Sequence, residues 1–212
     1  MTSPLGRAGR GAAKTARRTR AYLAAALLAR PPARDQVLVA WGLLAAPLAA
    51  VPLWGDAAAP TALALLAGLV VVLAGISAID ARWGLIPDPL TAAVVAGGLL
   101  QTLLAGGIPA VWPAVAGGLG VYAAGWALAR LHVAWRGYEG FGRGDVKLIA
   151  AAVPWLGIAG LSTMMTVAVA SALAGIGLMR LDGPVGRRDA IAFGPHLALG
   201  LAWSAVLTPW WA

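Results

Sequence analysis

The sequence predicts an all-α fold, a polytopic membrane helical bundle of about seven transmembrane helices with its N-terminus in the cytoplasm. Three observations lead there. Of 212 residues, 60% are apolar and 11% are charged, against roughly half and a quarter in soluble domains. The charged residues leave long gaps between them, each able to hold one or two membrane spans. With seven spans drawn through those gaps, all 16 Lys and Arg fall on one side. Period-two alternation, which a membrane barrel requires, is absent.

The elements follow in order. Residues 1–35 are a basic cytoplasmic tail with Arg7, Arg10, Lys14, Arg17, Arg18, Arg20, Arg30 and Arg34. Arg17-Arg18-Thr19-Arg20 and the apolar stretch after it resemble a targeting signal, but no cleavage site follows. The tail therefore reads as an amphipathic or disordered segment on anionic lipid. Residues 36–212 are the transmembrane domain. A helix crosses about 30 Å of hydrocarbon with about 20 residues, so the charge-free gaps 36–55, 57–79 and 190–212 each fit one span. The gap 89–129 fits two, turning near Gly106-Gly107-Ile108-Pro109. The gap 148–179 fits two short helices turning near Gly157–Gly160, the first starting just before the gap.

Arg82, then Arg130, Arg136, Arg143 and Lys147, then Arg180, Arg187 and Arg188 flank these spans on the side of the tail. Only Asp56 lies on the other side. Basic loops stay in the cytoplasm, so this segregation sets the orientation and accounts for the net charge of +8. Membrane lipid, not nucleic acid, is the partner it implies. The absence of cysteine excludes a disulfide framework, a thiol nucleophile and cysteine-ligated zinc.

Ionisable groups at membrane depth are functional candidates by default. Asp80 ends the apolar run 69–79, where nothing local calls for a charge. Two spans later, Gly142-Arg143-Gly144-Asp145 joins two backbone positions free of side chains to a second carboxylate at a helix start. Both acids sit at cytoplasmic helix ends, Asp80 at a C-terminus and Asp145 at an N-terminus, and so in unlike dipole environments. Two carboxylates sharing one proton suit aspartic hydrolysis, in which one deprotonates water and the other protonates the scissile amide. The same pair could relay protons in a small transporter. A transporter, however, calls for inverted repeats and sites at the bilayer midplane, and neither is visible.

Other residues read as support. Pro87-Asp88-Pro89 places Asp88 at the N-cap of the third span, after a helix breaker. Glu139 and Lys147 flank the glycine turn, and Lys147 either biases Asp145 or snorkels to headgroups. Arg143 suits a lipid phosphate. His132 and His196 share no metal-ligand spacing and read as structural. Ser77 and Ser162 have no nearby His or Lys to activate them. No metal or organic cofactor is called for.

Three blocks, "SAIDARWGLIPDPLT" from Ser77, "EGFGRGDVKLIAA" from Glu139 and "IAFGPHLALG" from Ile191, together resemble the type IV prepilin peptidase family, among the GxGD-type intramembrane aspartyl proteases. The resemblance covers about residues 36–208. It implies that Asp80 and Asp145 are the catalytic aspartates, and that Gly142, Gly144, Pro87, Asp88 and Lys147 fill the family's motif positions. It also implies a substrate, the basic leader and apolar helix of a prepilin or type II secretion pseudopilin, cut on the cytoplasmic side. Many members also methylate the new N-terminus, using a cysteine-containing domain near the start of the chain. With no cysteine here, the expectation is peptidase activity alone. His196 stands where the family usually has an apolar residue.

Overall fold

The computed structural model describes residues 34–54, 60–137, 142–180 and 192–207. The tail 1–33, Asp56 and Glu139 lie outside the described residues. Those described are helical almost throughout: α1 (Arg34–Trp54), α2 (Pro60–Trp83), α3 (Asp88–Arg136), α4 (Arg143–Arg180) and α5 (Gly194–Leu207). Of these, α2, α3 and α4 are long and apolar enough to cross a membrane, and α5 is a shorter apolar helix. Helices of this length and composition make the chain a membrane protein.

The two longest helices each break at a glycine. Gly107 has φ 67° and ψ −169°, and Gly157 has φ 65° and ψ 176°, a region that only glycine enters freely. Packing shows that the chain reverses at the first break. A Cβ on Gly98 would lie 2.8 Å from the Trp155 ring, and one on Gly117 would lie 3.1 Å from Val153 Cγ1. In a straight helix residues 98 and 117 would be roughly 28 Å apart, yet here they meet neighbouring residues. The two arms of α3 therefore run antiparallel and flank the first arm of α4. Gly97, Gly98, Gly117 and Gly125 permit the close approach.

The first α3–α4 contact is also polar. Trp155 Nε1 donates to the Val94 carbonyl at 2.8 Å, and Gln101 Nε2 donates to the Trp155 carbonyl at 3.2 Å. Thr102 Oγ1 lies 2.8 Å from the Pro154 carbonyl, three residues before the break at Gly157. A cleft of about 600 Å³ opens here, beside Gln101, Pro113, Pro154 and Ile158.

α5 is the buried axis of the bundle. Leu197, Ala198, Leu201, Ala202 and Ser204 have no exposed surface. Leu199 packs over Gly42 of α1, and Trp203 Nε1 donates to the Gly42 carbonyl at 3.1 Å. Gly200 brings α5 onto the backbone of α4, with Ala168 N 3.2 Å from where a Cβ would sit. Outward-facing Trp41, Val71, Ile108, Trp112 and Leu128 are largely exposed, as a hydrocarbon solvent would require.

Candidate active site

The breaks between helices bring four helix ends together. α2 stops because Gly84 takes φ 59° and returns its N–H to the Asp80 carbonyl at 2.8 Å, a glycine-terminated C-cap. The next three residues have no regular secondary structure. Pro87 (φ −70°, ψ 133°) then occupies the N-cap of α3, and its carbonyl accepts from Leu90 N and Thr91 N, both at 3.1 Å. Gly137 (φ 75°) closes the far end of α3 in the same manner as Gly84 closes α2.

Asp80 is 6% exposed. Its Oδ2 accepts the backbone N–H of Gly194, the first residue of α5, at 3.0 Å. Asp145 is half-buried in the first turn of α4. Its carboxylate is near enough to feel the charge of Asp80. Two acids 65 positions apart in sequence thus lie at the same end of the bundle, close enough for their charges to interact. Asp80 stands in the last turn of α2 and Asp145 in the first turn of α4, as the sequence predicts; Asp80 also meets the N-terminus of α5, whose dipole opposes that of the α2 C-terminus.

Glycines line the pair. A Cβ on Gly142 would come within 2.7 Å of Asp145 Oδ2, and one on Gly144 within 3.1 Å of Ile86 Cβ and Cγ1. Gly142 therefore leaves the space beside the carboxylate open. Gly144 lets the start of α4 settle against the 84–87 turn.

The flanking residues differ from expectation. Asp88 begins α3, but the N-cap is Pro87 and no side chain caps the helix. The reason is a partner that the sequence does not bring near: Lys147 Nζ lies 2.6 Å from Asp88 Oδ1. The same pair answers what Lys147 does. Glu139 lies outside the described residues. Ser77 and Ser162 donate to carbonyls of their own helices, Leu73 and Ala159. His196 is buried, with Nδ1 2.9 Å from Ser171 Oγ. The cleft beside Gln101 adjoins the Gly107 and Gly157 breaks, at the opposite end of the first α4 arm from Asp145, and is separate from the carboxylates.

A model of the type IV leader peptidase family matches residues 67–179, more than half of the chain and both aspartates. The chain belongs to that family. Type IV leader peptidase relatives named "Prepilin leader peptidase/N-methyltransferase" match it well. The one from Aeromonas salmonicida (strain A449) is 37% identical over 165 residues, covering 76% of this chain and 54% of the relative. The one from Aeromonas hydrophila is 35% identical over 181 residues, covering 83% and 59%. The one from Burkholderia pseudomallei (strain K96243) is 38% identical over 148 residues, covering 66% and 46%. The chain thus spans about half the length of the curated relatives it matches. No solved structure matches it significantly. Nothing in these comparisons supports the transporter reading.

Proposed function

We propose that the chain is a membrane aspartic endopeptidase. It removes the short basic leader from prepilins or type II secretion pseudopilins at the cytoplasmic face of the plasma membrane. The observation that carries this reading is the approach of Asp80 and Asp145 within a leader peptidase family match. Seven crossings, counted from α1, α2, two arms each of α3 and α4, and α5, would leave both acids on the side of the basic loops. That side is the cytoplasm.

In this reading the two carboxylates act on a water held between them. One takes a proton as the oxygen attacks the scissile carbonyl. The other supplies the proton that lets the amine leave. The substrate's apolar helix lies against the outer surface of the bundle. Its extended backbone reaches the acids past Gly142 and Gly144, where no side chain intervenes. Asp88 and Lys147 hold the starts of α3 and α4 in register. Glu139, in the same loop as the glycines, is the acid placed by sequence to meet a basic leader. The relatives' name also includes N-methyl transfer. The activity proposed here is the peptidase, whose two acids are present.

The test is processing of a co-expressed prepilin, read as a mobility shift. Asp80→Asn and Asp145→Asn should each abolish it while the protein still accumulates in the membrane. Wild-type cleavage by either variant would overturn the two-aspartate mechanism. For orientation, Asp56→Cys and Val185→Cys should label from opposite sides of the membrane.

A further inference from the structure

One contact to the aspartate pair comes from a residue that the peptidase reading does not use. Gly194 opens α5, and the first backbone N–H groups of a helix have no partner within it. Two of them, His196 N and Leu197 N, turn back to the Phe193 carbonyl at 3.0 Å each. Pro195 has none to offer. The Gly194 N–H goes instead to Asp80 Oδ2, across 114 positions of chain. Both residues are buried.

The fit depends on the missing side chain. A Cβ on Gly194 would lie 2.7 Å from Asp80 Cγ and 3.1 Å from Asp80 Cβ. The carboxylate therefore rests against the bare α-carbon. The helix that presents the donor is also fixed along its length. Gly200 packs on the α4 backbone, and Ser171 meets His196 at 2.9 Å.

We propose that Gly194 is a positioning residue of the aspartate centre: its backbone N–H holds one oxygen of Asp80, and its lack of a side chain admits the carboxylate. The proposal rests on the peptidase reading, in which Asp80 is catalytic. Pinning Oδ2 fixes the rotamer of Asp80, and with it the direction in which Oδ1 meets water and substrate. The contact is to the enzyme's own acid, so its loss should change turnover and leave substrate binding alone.

The test uses purified full-length enzyme in nanodiscs with purified prepilin, and separates kcat from KM. Gly194→Ala should lower kcat by on the order of 100-fold, the scale expected of a misplaced reacting group, with KM little changed. Gly68→Ala is the control. No atom lies within 4 Å of its new Cβ, and it should cleave as wild type does. A second variant removes the donor and adds no bulk: glycolate in place of Gly194, which turns the amide N–H into an ester oxygen. It too should lose kcat at constant KM, and it decides the matter if Gly194→Ala fails to accumulate. Wild-type kcat in the ester variant, with Asp80→Asn inactive, would overturn the role of Gly194 and leave the peptidase reading intact. Cleavage by Asp80→Asn would instead overturn the peptidase reading itself.

Discussion

Lys147 Nζ lies 2.6 Å from Asp88 Oδ1, tying the first turn of α4 to the first turn of α3. The side chains are 36% and 73% exposed, so the pair is bathed by water or headgroups and contributes only about 0–1 kcal/mol. Asp88→Asn and Lys147→Met should each leave most prepilin cleavage intact and cost under about 1 kcal/mol in detergent unfolding. The double variant should cost little more than either single change. If Asp88→Asn alone abolishes cleavage, the carboxylate takes part in the reaction and not merely in holding two helix starts.

Gly144 is a tighter constraint. An alanine there would put its Cβ 3.1 Å from both Ile86 Cβ and Cγ1. Ile86 is buried against the core and cannot swing clear. Gly144→Ala should therefore push the start of α4, and Asp145 with it, away from the 84–87 turn. The expected cost is about 1–3 kcal/mol of overpacking, with slower cleavage. Ile86→Ala in the same chain removes Cγ1 and Cδ1 from the clash and should restore part of the activity. Cleavage that stays slow in the double variant would show that Gly144 acts through something other than Ile86.

These two cases mark what the sequence makes legible. Charge-free gaps and paired glycines are local signals. They anticipate the breaks at Gly107 and Gly157 and the helical stretches around them, because hydropathy and backbone freedom are properties of a few adjacent residues. Helix ends are less legible. α3 runs to Arg136, past the gap that closes at residue 129, because a helix can continue beyond the hydrocarbon with its basic side chains turned to the interface. Arg130, 4.9 Å over the Trp126 ring, is one such residue. Beyond the pairing of Asp80 with Asp145, which the motifs anticipate, partners across the fold are not legible. Asp88 looks like a cap until Lys147 arrives from 59 positions away. Gly194 stands in a block that the resemblance includes, yet its contact with Asp80 appears only once α2 and α5 are packed together.

His196 shows the same limit in the core. Ser171 Oγ lies 2.9 Å from the Ala168 carbonyl and 2.9 Å from His196 Nδ1. A hydroxyl that donates to the carbonyl must accept from the ring, so Nδ1 carries the proton. Ser171→Ala leaves that buried N–H without its oxygen, at an expected cost of about 1–3 kcal/mol. His196→Leu should also destabilise. Because each loss includes the same bond, the double variant should cost less than the two added together, with a coupling of about 0.5–3 kcal/mol. Thermal unfolding in detergent measures the cycle. Strict additivity would mean that the pair is close without being bonded.

Gly157 permits a test of backbone conformation free of crowding. No atom lies within 4 Å of a Cβ built on it, and the same holds for Gly177 farther along α4. The two differ in backbone. Gly157 is held at φ 65° and ψ 176°, whereas Gly177 is an ordinary helical residue. Alanine at 177 should stabilise the protein by up to about 1 kcal/mol, since glycine is the poorer helix former. Alanine at 157 should cost about 1–3 kcal/mol, because a side chain makes that backbone region unfavourable. The sign of the effect thus reverses between two sites with equal room. The comparison is made on unfolding midpoints of the two variants in the same detergent. A neutral Gly157→Ala would mean that the break in α4 does not depend on a left-handed glycine.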